Sequence, residues 1–544
     1  MNSIVGNIFD VRTGTFFPGE ILIQGDRIID IMPTSKSCTN FILPGFIDSH
    51  VHIESSLLLP SFFSQAAISH GTVAVIADPH EIANVLGADG IRFMKENTEQ
   101  AEIKFFFGAP PCVPATNFET SGAILTANDI KNLLASETCY HLAEVMNYPG
   151  VIFQDPGLIE KINIAKSFGK IIDGHAPGLR GEQSRTYFDA GISTDHECES
   201  IEEALEKIKY GCHIIIREGS AAKNLTNLIS LLHDFPDKTM FCTDDCHADE
   251  LLEGHIDKMV KKAIDYKIPF ENIIKAACIN PVLHYKLPVG LLQKGDYADF
   301  IVVDSPKNCN VLETWINGKQ VFSKENDCVR EITIPPYKNN FQRQPVLSDE
   351  IKIYLPENAS HIVCIVARDK SLITESATEK PLLTREREII ADSSRDLLKL
   401  INLSRYTNDK PQVALIKGFN LKAGAIASSV AHDSHNILAV GTNDHDLIAA
   451  INMVIASKGG LAAVNGKETL FLPLPYAGLM SDLPATEVAS LYNKLNQTVK
   501  SWGCDFSAPF MTLSFMALLV IPELKLSDKG LFDATNFTFT SLFR

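Results

Sequence analysis

Between residues 41 and 287 the chain alternates continuous apolar runs with amphipathic stretches of helical length. Eight runs have strand length: 41–48, 73–77, 103–107, 140–145, 170–173, 191–194, 213–217 and 239–243. Short, mainly apolar runs without strict alternation suit strands covered on both faces, and strands separated by helices pair in parallel. Eight such βα units over about 250 residues predict a (β/α)8 barrel. A doubly wound sheet is the competing arrangement, but no GxGxxG turn follows the first strand.

The flanks follow a different period. Residues 3–9, 20–23 and 27–31 alternate like half-buried strands around the turn Gly25-Asp26, and the texture returns at 300–303, 314–316 and 320–322 around Asn317-Gly318. The two pieces, 1–41 and 288–330, are expected to form one composite small β domain beside a catalytic barrel at 42–287. Past Pro335-Pro336 and the polar stretch 338–344, strands (361–368, 412–417, 437–441) mix with helices (444–457, 485–500). Residues 331–544 are therefore expected to be a C-terminal α/β domain.

Composition narrows the function. Of 544 residues, 45% are hydrophobic and 21% charged, as in packed globular proteins. Lys plus Arg number 49 against 66 Asp plus Glu, a formal charge of −17, with no basic cluster to neutralise phosphates, so no nucleic-acid partner is expected. The apolar run 511–521 is short of the ~20 residues of a membrane span, and the N-terminus lacks a charged-then-apolar leader, so a cytoplasmic protein with no membrane partner is expected. The 12 Cys are scattered without a CxxC pair and read as free thiols.

Candidate chemistry gathers at the ends of the expected barrel strands. The first strand runs into His50-Val51-His52, and alternate residues of an extended segment point the same way, so both imidazoles can reach one cation. Glu144, His175, His196 and Asp244 stand at the ends of strands 4, 5, 6 and 8, on the face where barrel chemistry sits. These six residues could hold two metals. His52-Ile53-Glu54 mimics half of a cytidine-deaminase zinc motif, but no Pro-Cys-x-x-Cys follows, which excludes that site. The later segment His432-Asp433-Ser434-His435-Asn436 reads either as buried hydrogen bonding or as a cover over the barrel mouth.

The segment from Pro44 to His52, the later histidines and the strand-end Asp244 resemble the amidohydrolase superfamily. Within it, His50-Val51-His52-Ile53-Glu54-Ser55-Ser56, Asp78-Pro79-His80-Glu81, Thr243-Asp244-Asp245-Cys246-His247 and Ser428-Ser429-Val430-Ala431-His432 resemble the bacterial type of adenine deaminase family. The resemblance implies metal-dependent hydrolytic deamination of adenine, with water, to hypoxanthine and ammonia in purine salvage, at two divalent metal ions, Mn or Fe before Zn. His50, His52 and Asp244 would then bind one metal and His175 and His196 the other. With no Lys between Thr138 and Gly150, Glu144 is the natural bridging carboxylate. Asp244, Glu81 and His247 are expected in catalysis, Glu81 as an acid for the departing ammonia, and His80, Glu81 and Asp245 in substrate binding. A homo-oligomer is expected. A cyclic-amide hydrolase of the dihydroorotase or hydantoinase kind, and a non-catalytic amidohydrolase-like assembly protein, are the alternatives.

Overall fold

The structure, a computed structural model, describes residues 2–220, 222–325 and 331–544; residues 326–330, at the end of the expected small β domain, lie outside the described residues. The chain divides into two units: residues 1–79, 92–112 and 126–334 form the first, and 80–91, 113–125 and 335–544 the second.

In the first unit, β1 (Asn2–Asp10), β2 (Thr15–Gln24), β3 (Arg27–Pro33) and β4 (Phe41–Pro44) precede the eight strands β5 (Phe46–Val51), β6 (Thr72–Ala77), β7 (Lys104–Ala109), β8 (His141–Val145), β9 (Ile172–Gly174), β10 (Thr194–Asp195), β11 (His213–Arg217) and β12 (Thr239–Cys242). β13 (Phe300–Val303), β14 (Val311–Ile316) and β15 (Lys319–Ser323) follow. The expected strand 41–48 is two strands in two sheets. Chain direction changes at Gly45, where a Cβ would fall 2.2 Å from a Val73 methyl, so only glycine lets the backbone pass.

β4 is the seam between the early and late β segments. It pairs in parallel with β1, Asn7 opposite Phe41, and antiparallel with β13, Phe300 opposite Pro44. One seven-stranded sheet results, in the order β15-β14-β13-β4-β1-β2-β3, over a core of Ile8, Ile21, Ile28, Ile42 and Phe300.

The strands β5 to β9 pair in parallel in sequence order, as do β10 to β12. Backbone hydrogen bonds join the ends of these two sheets. Ser193 N–H donates to Ile172 O at 3.0 Å, Asp244 N–H to His50 O at 3.0 Å and His52 N–H to Asp244 O at 3.2 Å. The sheet therefore curls into the expected eight-stranded barrel. β5 and β6 are buried along their whole length, which explains why their sequences do not alternate.

The second unit carries an eight-stranded sheet in the spatial order Glu375–Glu379, Ile362–Val366, Gln412–Lys417, Leu398–Leu403, Ile437–Gly441, Ala425–Ser428, Gly460–Asn465, Glu468–Pro473. The helix Asp444–Ala456 starts where the Asn443 side chain accepts the Asp446 N–H at 2.9 Å, and packs Leu447, Ile451 and Val454 on the small residues Ala425, Ala427, Ala439 and Ala462. Segments 80–91 and 113–125 follow barrel strands β6 and β7 in sequence yet group with this unit. Thr120 O accepts from Asn436 Nδ2 at 2.9 Å, Thr120 N–H donates to Asp528 at 2.9 Å, and Phe118 O accepts from Ser527 Oγ at 2.7 Å. No helix among the described residues is long and apolar enough to cross a membrane.

Candidate metal centre

The ends of β5, β8, β9, β10 and β12 bring His50, His52, Glu144, His175, His196 and Asp244 together, all six within the first unit. His50 Nε2 and His52 Nε2 are 3.2 Å apart, and the His50 ring stacks on that of His196 at 4.1 Å. His52 Nδ1 lies 3.0 Å from the Asp78 carbonyl. A carbonyl only accepts, so Nδ1 carries the proton and Nε2 keeps the lone pair a cation needs.

Glu144 occupies the middle of this group. Its Oε2 is 2.9 Å from His175 Nδ1 and 3.3 Å from His196 Nε2, while Oε1 is 3.7 Å from His52 Nε2. His50 Nε2 is 3.9 Å from Oε2, so this one carboxylate lies within 4 Å of all four imidazoles. The Glu144 backbone is itself held, its N–H donating to Asp78 Oδ2 at 3.1 Å. Asp244, in left-handed backbone conformation at φ 57°, presents Oδ1 to His52 Nε2 at 3.2 Å and to His50 Nε2 at 3.6 Å.

Two residues at this site were missing from the sequence reading. Glu197, next to His196, places Oε1 3.4 Å from His196 Nε2 and 3.6 Å from His175 Nδ1. Arg217 donates through Nη1 to Asp244 Oδ2 at 2.6 Å, through Nη2 to Glu197 Oε2 at 2.8 Å, and through Nη1 to Glu197 Oε1 as well. The available signal was an arginine closing the otherwise apolar run of β11, since a buried strand end seldom carries a charge without a partner.

Electrostatics follow from this packing. Burial, helped by His196, pushes His50 down to about 4. Burial would raise the Glu144 carboxyl, but His175 and His196 outweigh it and hold the group well below the usual range. Burial likewise opposes the Asp244 anion, and Arg217 with His52 reverses that effect. For His196 burial opposes the cation, yet the hydrogen-bonding Glu144 and Glu197 raise it well above the ordinary imidazole value.

Below the cluster, buried acids precede the histidines and tie strand to strand. Asp48 Oδ2 meets His255 Nε2 at 2.9 Å and accepts from Thr243 Oγ1 at 2.5 Å. Asp173 accepts from Tyr285 Oη and from Thr194 Oγ1, each at 2.8 Å. Asp195 takes Lys207 Nζ at 2.5 Å. Through these contacts the three acids fix the strand ends from which the site projects.

The remaining expected site residues divide between the units. Asp245 and His247 lie on the loop after β12. Asp245 accepts from Ser55 Oγ at 2.5 Å, the His247 backbone N–H donates to Ser220 Oγ at 3.0 Å, and burial pushes the His247 imidazole down. His80 and Glu81 open the helix His80–Leu86 and belong to the second unit, where Glu81 meets His432 and His435.

The first-unit cluster fits divalent cations. Its nitrogen and oxygen donors stand about 3–4 Å apart, close to the ligand–ligand edges of a site with bonds of about 2.0–2.2 Å. Glu197 and Asp244 share the Arg217 guanidinium, while Glu144 lies among imidazoles, so the cluster joins anionic oxygen donors to ring nitrogens, the set that divalent cations take. Donors of imidazole and carboxylate suit Mn, Fe and Zn.

Comparison with known proteins agrees with this chemistry. Residues 41–321 match the model of the Amidohydrolase family, and residues 371–538 that of the Adenine deaminase C-terminal domain. The adenine deaminase of Methanosarcina barkeri is 47% identical over 550 residues, covering 100% of both chains. That of Parabacteroides distasonis is 45% identical over 540 residues, 99% of this chain and 98% of its own. Among solved structures, N-acetyl-D-glucosamine-6-phosphate deacetylase from Mycobacterium smegmatis is 14% identical, with a TM-score of 0.47 over 59% of this chain and 100% of its own.

Proposed function

Because the chain belongs to the adenine deaminase family of amidohydrolases, we propose that it hydrolyses adenine to hypoxanthine and ammonia with two divalent metal ions, Mn or Fe before Zn. His50, His52 and Asp244 would hold one cation and His175 and His196 the other, with Glu144 between them. The observation that carries this reading is the Glu144 carboxylate, which lies among all four histidines, with Oε1 toward His52 and Oε2 toward His50, His175 and His196. Bound there, divalent cations supply the Lewis acidity that brings the pKa of water toward neutrality.

The protein's own groups handle the protons. Arg217 occupies Asp244 Oδ2, which leaves Oδ1 turned toward His50 and His52. As the water oxygen adds to C6 of the purine, Asp244 Oδ1 accepts its proton and passes it to the exocyclic nitrogen, and cleavage of the C6–N bond releases ammonia. Asp245 and His247, on the loop after β12, are the first-unit groups we assign to the purine itself.

Ammonia release from adenine, measured beside dihydroorotate hydrolysis on Mn-loaded protein, tests the reaction. Adenine turnover without dihydroorotate turnover is expected, and the reverse would overturn the proposal. His50→Ala and His175→Ala should each lose most bound metal and nearly all activity. Full occupancy with normal rates in both would overturn the ligand assignment.

A further inference from the structure

Glu197 lies at the metal centre without a role in the proposed reaction. It follows His196 directly, and side chains one residue apart on extended backbone point to opposite faces. A turn overrides that period here. Asp195 Oδ1 accepts the Glu197 N–H at 2.9 Å, and Asn224 Nδ2 donates to the carbonyls of His196 and Cys198 at 3.1 and 3.0 Å. His196 and Glu197 therefore face the same space, and both are buried.

Four donors enclose that space. Glu144 Oε2 is 2.9 Å from His175 Nδ1 and 3.3 Å from His196 Nε2, and Glu197 Oε1 is 3.6 and 3.4 Å from the same two nitrogens. Around one cation with bonds of about 2.0–2.2 Å, ligands at right-angled to tetrahedral positions stand about 2.8–3.6 Å apart. All four separations fall in that range, although Glu144, His175 and His196 already form a metal-capable group without Glu197.

Arg217 relates this carboxylate to that of Asp244. The guanidinium takes Asp244 Oδ2 at 2.6 Å through Nη1 and Glu197 Oε2 at 2.8 Å through Nη2, and Nη1 also meets Glu197 Oε1. Asp244 Oδ1 is left toward His52 and His50 at 3.2 and 3.6 Å, much as Glu197 Oε1 stands to His196 and His175. Each histidine pair thus has its own carboxylate. Arg217 uses one lone pair on each Glu197 oxygen, and a carboxylate has roughly four lone-pair sites, so Oε1 keeps one for a cation.

Resting on the two-cation reading, we infer that Glu197 is a further ligand of the second cation, beside His175, His196 and Glu144, as Asp244 is of the first. Arg217 positions both carboxylates. The second cation then has two imidazoles and two carboxylates, a donor set that suits Mn.

Chelator competition on the full-length protein loaded with Mn tests this without reference to turnover. Glu197→Leu removes the oxygen donor, Glu197→Gln keeps an uncharged one, and Arg217→Met leaves the carboxylate in place. Loss of an outer partner weakens a metal about 10- to 100-fold. Glu197→Leu should therefore weaken one of the two Mn by more than about 100-fold and the other by less than about 10-fold, with Glu197→Gln between wild type and Leu, while Arg217→Met retains both. Three results would overturn the inference: wild-type affinities in Glu197→Leu, both Mn weakened alike, or Glu197→Leu and Arg217→Met indistinguishable in metal affinity. If Glu197→Leu fails to fold, Glu197→Gln decides, with one Mn weakened at least about 10-fold expected and wild-type affinities overturning the inference. A wild type that holds fewer than two Mn overturns the two-cation reading and the inference with it; one that holds two without deaminating adenine overturns the proposed reaction alone.

Discussion

Arg217→Met is the sharpest probe of how the centre is assembled. The guanidinium is buried and is the group that joins Asp244 Oδ2, at 2.6 Å, to both oxygens of Glu197. Its removal leaves two buried carboxylates without their partner, a change that costs about 3–5 kcal/mol when one member of a buried pair is deleted. That cost should appear in the metal-free protein as a lower urea midpoint. In the loaded enzyme cations offset part of the charge, and the main loss should be orientation. A catalytic group displaced by about 1 Å costs about 100-fold in rate, or about 2.7 kcal/mol of barrier. We therefore expect kcat/KM for adenine to fall about 100-fold with both metal equivalents retained. Arg217→Lys should fall between, because one ammonium does not serve two carboxylates as a planar fork does. After burial, which raises it, Arg217 is the largest influence on the Asp244 pKa and lowers it. The carboxylate is the working form, so without Arg217 the acid limb of kcat/KM should move to higher pH. Steady-state kinetics from pH 5 to 9, with metal analysis on the same samples, read all of this. An Arg217→Met enzyme with full metal, wild-type kcat/KM and an unmoved acid limb would refute the reasoning.

Other consequences follow from particular contacts. Glu144→Gln removes the charge between the histidine pairs, so metal analysis should show at least one cation lost per chain together with most activity; wild-type content and rate would put the bridge elsewhere. Lys207→Met strips a buried ammonium from Asp195 (2.5 Å), Glu203 (2.6 Å) and the Ala176 carbonyl (2.6 Å), and should cost about 3–5 kcal/mol in urea unfolding near neutral pH. Burial raises the Asp195 carboxyl and Lys207 more than reverses this, so its stabilisation is present above the ordinary carboxylate pKa and is lost as pH falls through the lowered one. The wild-type advantage should accordingly shrink on acidification, and a difference independent of pH would exclude the pair as its source. If the site is built for the bare base, as proposed, adenosine should be a poorer substrate than adenine, because its ribose on N9 would need room and hydroxyl partners of its own. An adenosine kcat/KM equal to or above that for adenine would move the assignment toward a nucleoside deaminase.

Much of the barrel and its chemistry could be read from the chain because the relevant signals are local. Apolar runs at two-sided burial mark β5 to β12, and His50-Val51-His52 at a strand end puts two imidazoles on one side through the two-residue period of extended backbone. The same reasoning picked out Glu144, His175, His196 and Asp244 as candidate ligands at equivalent positions in repeating βα units, and the family resemblance divided them between two expected cations. Tertiary structure alone decided the rest. Gly45 divides residues 41–48 between two sheets because Val73, 28 positions away, leaves no room for a Cβ. Segment 113–125 groups with the second unit through hydrogen bonds to Asn436, Ser527 and Asp528, more than 300 residues distant. Arg217 is an unremarkable strand-end cation until folding sets Glu197 and Asp244 against its two nitrogens. Glu81 acquires its histidines across 351 and 354 residues of chain. Periodicity is a property of neighbours along the backbone and survives without the fold, whereas the state of a buried charge depends on which distant groups replace the water it has lost.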